Sequence, residues 1–471
     1  NVSDPIFTMF KRVIFDESHQ PKSHTSTTVR ACYSVNALYR WCLTATPIIN
    51  DTIQTLHAQL RMLCVKPFQG DRPYLKEVMQ IEEGRSRWVI QQIINTIIRP
   101  KVSLGIPKPE VYTLNIPFDA NTLVVYKKLF EKIRGKILKT WHTEGPFNEF
   151  QRIKSLMNQL CIASIDPTLI PIHMWGERIE GDQFSSTTIQ QLNETLGKDK
   201  FEQEVKKVLN SLEDTSCSLC LETISRPTIT NCLHIFCHDC IKRSLEFRKN
   251  CPMCRCTLQE SAFKEIKPSV EEETIEGFVV KTDMLGRRVK IDKDIARLYE
   301  TMTRGKLDEL KRIINKRKKI VVYSQYNTVL ESFSREFHSS IITGRSSRAQ
   351  RKRNIEAFKN GNTNVFFLST KIADVGINLT EGDTLVFLEP GIDSDVEKQA
   401  IGRLKRIGQE KTVHIYKLYS KDTLEDSISL KRSSYEHAIS RVMNSGGSKS
   451  YISKKKRQFF LGYITDILQF N

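Results

Sequence analysis

The sequence predicts an α/β protein of several domains, built on parallel sheets and interrupted by a cysteine-rich module. Three observations predict it. Short continuously apolar runs (13–15 VIF, 320–324 IVVYS, 365–370 VFFLST, 384–389 TLVFLE, 413–418 VHIYKL) alternate with helical or polar segments. That is the pattern of strands buried on both faces with helices laid over them. The runs fall in two groups, on either side of a stretch in which seven cysteines and His234 follow one another at ligand spacing from Cys217 to Cys254. A chain of 471 residues is also too long for one ordinary domain.

Composition narrows the function classes. The net charge of +18 points to a polyanionic partner, nucleic acid first. No apolar run approaches the ~18 residues of a membrane span, so no membrane partner is expected. Phe10 is followed at once by Lys11 and Arg12, which is no signal peptide. Eight of the 12 cysteines lie between Cys217 and Cys256, with Cys32, Cys42, Cys64 and Cys161 scattered in apolar contexts. That distribution fits a metal site in a reducing compartment, not a disulfide framework. The chain begins at Asn1 and not at Met, so a fragment or processed product is expected.

The cysteine-rich stretch offers, in order, Cys217, Cys220, Cys232, His234, Cys237, Cys240, Cys251 and Cys254. Three pairs have C-x-x-C spacing and one is Cys-x-His, enough for two closed tetrahedral zinc sites. A segment this short cannot bury a self-sufficient core, so metal must supply much of its folding free energy. Order and spacing resemble a RING finger. The resemblance implies interleaved sites: Cys217, Cys220, Cys237 and Cys240 on one zinc, Cys232, His234, Cys251 and Cys254 on the other. His238 and Cys256 match no ligand position. The resemblance also implies an apolar groove for a ubiquitin-conjugating enzyme, formed by Leu219, Leu245 or Phe247, and Pro252. Arg255 stands where active members carry the arginine that bridges conjugating enzyme and ubiquitin. Arg255 is therefore the residue that weighs a ligase against a purely structural zinc knot.

On either side of this segment lie strands that end in chemistry-bearing residues. Val13–Phe15 read as a buried strand ending in Asp16 and Glu17, where open α/β sheets place ligand chemistry. Two such carboxylates suit nucleotide hydrolysis, one holding Mg²⁺ and the other positioning water. RWCLTATPIIN (40–50) is a second strand entering a Thr/Pro turn, with a helix from Asp51 to about Leu63. DESH (16–19) with this segment resembles motifs II and III of the SWI/SNF family of superfamily-two DNA translocases, which implies nucleotide coupling at His19, Thr44 and Thr46. Ala45 stands where that family has Gly. Residues 369–390 and QAIGRLKRIGQEKTVHIYKL (399–418) resemble motifs V and VI, implying roles for Gly376, Gln399, Gly402, Arg403 and Arg406. Two arginines three apart are expected on one helical face, where the resemblance implies fingers to the γ-phosphate. Ile372, Ala373 and Asp374, GIDSD at 391–395 and Arg-Pro-Lys at 99–101 depart from the family pattern.

Between these motifs, apolar stripes at Ile93, Ile94, Ile97 and Ile98 and at Leu123, Tyr126, Phe130 and Ile133 predict packed helices. Residues 106–118 read as a Pro-punctuated linker, 187–213 as an exposed helix, and 268–300 as a mixed linker beginning at Glu271–Glu273. Leu307, Leu310, Ile313 and Ile314 predict an amphipathic helix closed by the basic run 316–319. Arg345, Arg348, Arg351, Lys352 and Arg353 are candidates for DNA contact, with a solvated helical face as the alternative. The basic run at 454–457 is either a nuclear address or a solvated end.

Taken with the resemblance, the fold is two RecA-like lobes with parallel sheets, the first incomplete, a helical insertion and an inserted two-zinc RING finger. The expected divisions are 1–105 (lobe 1), 106–215 (helical insertion), 216–258 (RING), 259–299 (linker), 300–435 (lobe 2) and 436–471 (basic tail). A RING between motifs III and IV narrows the resemblance to the radiation-repair translocase–ubiquitin ligase and helicase-like transcription factor group, which is nuclear. That implies ATP with Mg²⁺ in the complete motor, double-stranded DNA, and a ubiquitin-conjugating enzyme with ubiquitin and a substrate. No G-x-x-x-x-G-K-[ST] occurs in the 471 residues. The phosphate cradle is thus missing here, and the chain is expected to be the C-terminal part of a translocase, cut inside its first lobe. A ligase and DNA-binding module with an inactive motor is the alternative.

Overall fold

The computed structural model describes residues 9–18, 21, 25–44, 52–66, 68–69, 107–143, 150–171, 174–179, 190, 217–224, 226–258, 263–266, 272–275, 277–283, 285–370, 377–391, 394–406 and 408–429. The expectations for His19, Thr46, Gly376, the Ile93–Ile98 stripe, the helix over 187–213 and the tail beyond residue 435 lie outside them. Among the described residues no helix is long and apolar enough to cross a membrane.

Strands β1 (Phe10–Phe15) and β2 (Ala37–Cys42) pair in parallel, Phe10 beside Ala37 and Phe15 beside Cys42. Helices α1 (Thr27–Ser34) and α2 (Thr52–Met62) pack through Val29, Ala58 and Met62 toward Phe15 and Cys42. Ser26 caps α1, its Oγ accepting from the Val29 N–H. The burial expected of β1 holds for one face only. Ile14 is 55 % exposed and its register partner Trp41 52 %. Among the described residues this sheet has two strands, and its second face has no covering layer.

Strand β3 (Glu110–Pro117), helices α3 (Ala120–Thr143) and α4 (Phe150–Ile165) and the two-residue β4 (Glu177–Arg178) come next. The cysteine-rich module follows with β5 (Pro227–Thr230), β6 (Ile235–Cys237), α5 (His238–Phe247) and β7 (Phe263–Glu265), β5 lying antiparallel between its neighbours. Strands β8 (Glu272–Ile275), β9 (Phe278–Thr282) and β10 (Arg288–Asp292) form an antiparallel meander that β4 joins at its edge. The linker expected over 268–300 thus carries three strands. Gly277 turns β8 into β9 at φ +75, a backbone position suited to glycine. Asp283 organises the next turn by accepting from Leu285 N, Arg287 N and the Arg287 side chain.

The remaining elements are α6 (Lys293–Glu300), α7 (Gly305–Lys316), β11 (Ile320–Ser324), α8 (Asn327–Ser334), β12 (Ser339–Ile342), α9 (Arg348–Lys359), β13 (Val365–Ser369), β14 (Thr384–Phe387), α10 (Ser394–Leu404) and β15 (His414–Lys421). They build a parallel sheet of six strands in the order β12-β13-β11-β14-β15-β3. Strands β11, β13 and β14 are buried along their whole length, as their unbroken apolar sequences require.

Two parts of the expected division change. The stretch read as a linker is β3, an eight-residue edge strand running from Glu110 beside His414 to Pro117 beside Lys421. Prolines are tolerated there because they stand before and at the end of an edge strand. Helices α3 and α4 are not a separate insertion. Val125, Leu129, Ile133, Leu156 and Leu160 share one core with Leu310, Val322, Phe333 and Phe367 of the six-stranded unit. Residues 110–165 are therefore part of the second lobe.

Candidate functional site

The eight expected ligands gather into two groups. In each, the ligand atoms of Cys217, Cys220, Cys237 and Cys240, or of Cys232, His234, Cys251 and Cys254, lie within 4.8 Å of one another. Around a tetrahedral zinc with Zn–S near ~2.3 Å, two thiolates sit about 3.8 Å apart and a thiolate and an imidazole nitrogen about 3.5 Å apart. The Cys220 and Cys237 sulfurs are separated by 3.9 Å, and His234 Nδ1 lies 3.4 Å from Cys232 Sγ and 3.7 Å from Cys251 Sγ. The donor sets fit zinc in both spacing and chemistry. Cys256 lies 3.3 Å from Cys254 but outside the second group.

Local backbone geometry explains how so short a segment converges. Leu221, Leu233 and Arg255 each stand directly after a ligand, with φ of 60°, 63° and 64°. The turns close through Leu221 N to Cys217 O at 2.8 Å and Arg255 N to Cys251 O at 2.9 Å. Left-handed backbone costs a non-glycine residue roughly 1 kcal/mol or more, which metal binding must offset. Thr230 steadies the Cys-x-His knuckle, its Oγ1 accepting from His234 N at 3.1 Å and donating to His234 O at 3.0 Å. The three neighbouring thiols pull the Cys217 thiol well below its ordinary pKa.

The module is seated on the second lobe. Asn158 of α4 donates to Leu221 O at 2.9 Å, and Glu222, fully buried, reaches the N-terminus of α8. Beside this contact opens a cleft of about 490 Å³, walled by Leu219, Leu221 and Arg243 of the module, Lys154 and Asn158 of α4, and Gln325 after β11. Leu219 is 39 % exposed in it. Leu245 is half-buried against the module core, Pro252 is half-buried and Arg255 is exposed. The Phe247 side chain lies outside the described residues. Arg255 has its carbonyl held by Asn250 Nδ2 at 2.9 Å, which fixes the backbone that presents its side chain.

Asp16, Glu17 and Thr44 come together at the C-terminal ends of β1 and β2. Leu43 N donates to Phe15 O at 2.9 Å and Ser18 N to Leu43 O at 3.1 Å, zipping the two turns. Asp16 is exposed and accepts from Glu17 N at 2.9 Å, while Glu17 has φ 48°. Gln399, Gly402, Arg403 and Arg406 stand on the other sheet's unit, around α10.

The common helical face expected for Arg403 and Arg406 is not found. Helix α10 ends at Leu404, between them. Gln409 turns the chain back by donating from Nε2 to Thr380 O, Gly382 O and Leu404 O, at 3.1, 2.9 and 3.2 Å. Arg403 is left buried, its Nη1 donating to Ile377 O at 3.3 Å, and Arg406 exposed.

The basic candidates also divide. Arg348, Lys352 and Arg353 are exposed on α9, whose N-terminus Ser347 and Gln350 close as a capping box. Arg351 donates to Ser346 O at 3.1 Å, and burial, then nearby Arg243, hold it below its ordinary pKa. Arg345 departs from the expected DNA face: its side chain is 9 % exposed, paired with Glu331 at 2.8 Å and turned toward the cysteine module.

Sequence reasoning missed the buried pair Lys306–Glu425, in which Lys306 Nζ lies 2.7 Å from both Glu425 oxygens and also donates to Leu388 O at 2.6 Å. It missed Glu222 as well. Their partners are distant in sequence, and no local spacing marks them.

With this geometry in place, family models match three parts of the chain. The SNF2-related domain matches residues 5–169, the RING finger (zinc finger, C3HC4 type) residues 216–254, and the helicase conserved C-terminal domain residues 305–408. The chain thus carries an SNF2-related domain and a helicase C-terminal domain with a RING finger set between them. It is similar to DNA repair protein rad8 of Schizosaccharomyces pombe, 26% identical over 458 residues, covering 88% of this chain and 39% of rad8. DNA repair protein RAD5A of Arabidopsis thaliana is 26% identical over 464 residues, covering 92% of this chain and 43% of that one. The helicase-like transcription factor of Homo sapiens is 26% identical over 440 residues, covering 88% and 41%. The chain therefore spans about two fifths of the length of these relatives.

Proposed function

We propose that the whole protein is an ATP-dependent double-stranded-DNA translocase that carries a RING-type ubiquitin ligase, acting in the nucleus in DNA repair or chromatin transactions. The reading rests above all on two interleaved ligand sets held on a motor lobe. A RING catalyses by position: it holds a charged conjugating enzyme so that the thioester is oriented for attack. Leu219, Leu245, Phe247 and Pro252 would supply the apolar contact and Arg255 the polar bridge to ubiquitin. Because Leu219 shares its cleft with α4 and Gln325, a conjugating enzyme seated there would meet the second lobe as well.

Leu219→Ala and Arg255→Ala are each expected to slow ubiquitin-chain formation at least about 10-fold, with zinc content unchanged, since both lie outside the ligand sets. The assay needs ubiquitin-activating enzyme, conjugating enzyme, ubiquitin and ATP. Rates equal to wild type in both variants would leave the RING a scaffold.

For the motor, Asp16 and Glu17 would hold Mg²⁺ and orient water, Arg403 and Arg406 would answer the γ-phosphate, and Thr44, Thr46, His19, Gln399, Gly402 and Gly376 would couple nucleotide state to DNA contact. Exposed Arg348, Lys352 and Arg353 would meet the DNA backbone, with affinity falling steeply as salt rises. The second reading, a ligase and DNA-binding module with an inactive motor, draws on the missing phosphate-loop motif. On either reading the 471-residue chain by itself is expected to turn over ATP negligibly. Strong DNA-stimulated phosphate release from the purified chain would overturn that expectation.

A further inference from the structure

The junction between the RING and the second lobe is built from two charged residues that exchange partners across it. Glu222, between the RING turns, is fully buried. Its Oε1 accepts from Asn327 N at 3.1 Å and Asn327 Nδ2 at 3.2 Å, and its Oε2 from Thr328 N at 3.0 Å and Thr328 Oγ1 at 2.9 Å. Those backbone amides are the first of α8, whose own N-cap residue, Tyr326, offers no side-chain cap. The RING therefore caps a helix of the motor lobe, placing a carboxylate where the helix dipole favours it. In the opposite direction, Arg345 reaches from the turn after β12 to the all-cysteine set. Its Nη2 lies 3.8 Å from Cys237 Sγ and 4.0 Å from Cys220 Sγ, while Nη1 is held by both Glu331 oxygens at 2.8 and 3.0 Å.

We propose that Arg345 is a positioning residue of the all-cysteine zinc site, neutralising its thiolates from the motor lobe so that metal retention and RING seating are one linked equilibrium. Four thiolates around one Zn²⁺ leave a net charge of about −2. Cys217 and Cys237 are fully buried, so water cannot screen that charge from their side. A buried charge needs a partner, and Arg345 approaches the site from the other domain at N–H···S distance. The His234 site has one thiolate fewer, and the Arg345 guanidinium reaches Glu331 and the other set. The guanidinium is oriented by Glu331 in the way that carboxylates orient metal-ligating histidines, and outer-shell partners of this kind are typically worth about 10–100-fold in metal affinity. The inference rests on the zinc reading of the ligand sets.

The test uses the full 471-residue chain, first in metal analysis and then in zinc release to a chromogenic chelator. Release from the two ligand sets is read as two phases, one per zinc. Arg345→Gln is expected to speed one phase about 10-fold or more, and Arg345→Lys to restore part of the difference. Glu331→Gln keeps one acceptor oxygen on Arg345 Nη1 and is expected to speed release by less than Arg345→Gln does. In the otherwise unaltered chain, stripping zinc is expected to raise hydrogen exchange at the Asn327 and Thr328 amides, which would lose Glu222. Arg345→Gln with parental release, or Asn327 and Thr328 amides indifferent to zinc, would overturn the proposal. So would Glu331→Gln releasing as fast as Arg345→Gln, since Arg345 would then act only by bracing its own lobe. Fewer than one zinc per unaltered chain would refute the zinc reading itself, which is a different failure.

Discussion

Stripping both zinc ions, or replacing Cys217 with Ser, is expected to unfold residues 217–258 while the six-stranded sheet keeps its own unfolding transition. The RING core consists of Ile224, Ile229, Ile235, Phe236, Ile241 and Leu258, together with buried ligand cysteines, Ile266 and Leu285. A core this small falls below what a segment of roughly 40 residues needs to fold alone. In small zinc domains metal contributes about 10–16 kcal/mol of apparent binding free energy, and that is folding free energy. Zinc content should fall from two per chain to one or fewer in Cys217→Ser, with amide protection lost across β5, β6 and α5. Cys256→Ser, two residues past the last ligand of the second group, should keep both ions. On the ligase reading proposed above, ubiquitin-chain formation should vanish with the metal. If amides in β5 and α5 stay protected after exhaustive chelation, the module does not depend on zinc. In β11 to β14 protection should be retained, because that sheet buries its own apolar faces.

Glu425→Ala is expected to destabilise the second lobe by about 3–5 kcal/mol, the usual cost of leaving a buried charge without its partner. Lys306 is 1 % exposed and sits beneath the ends of β14 and β15, donating to Leu388 O and Leu418 O as well as to Glu425. Burial pushes the Glu425 carboxyl up to about 7 and the Lys306 ammonium down from its ordinary value, so each charge depends on the other. Truncating the acid removes both acceptor oxygens and opens a cavity. Replacing the pair together, as Lys306→Met with Glu425→Leu, should recover most of the loss, because desolvation of both charges is then relieved. Urea unfolding followed by intrinsic fluorescence would read the difference. A Glu425→Ala variant within about 1 kcal/mol of wild type would mean that the ammonium finds water or neutralises without strain.

What could be read from the sequence was what is local. The zinc ligands lie in pairs two or three residues apart, and a turn of that size has few ways to place its thiols. Strands β11, β13 and β14 carry unbroken apolar runs that no surface segment would tolerate. Strand β3 was misread because Pro107, Pro109 and Pro117 look like linker punctuation, although Val111, Thr113 and Asn115 alternate with Tyr112, Leu114 and Ile116 as a strand requires. The face shared by Arg403 and Arg406 failed for a non-local reason. Gln409 ends the helix by reaching carbonyls on a different loop, and spacing alone cannot announce that. Arg345 was assigned outward with its basic neighbours on α9, yet its partners are Glu331 and two cysteines more than 100 positions earlier.

The pairing of β3 with β15 also bears on the order in which the molecule can be made. Glu110 must wait for His414, so the strand at the sheet's edge is synthesised early and docks last. Such long-range closures are slow and leave an intermediate with open apolar surface. All the RING ligands lie between the two strands in sequence, so the RING can close on zinc while the ribosome is still producing β11. When α8 emerges, Glu222 is already fixed in place to receive its first amides. On this ordering the RING is a template on which the second lobe is finished.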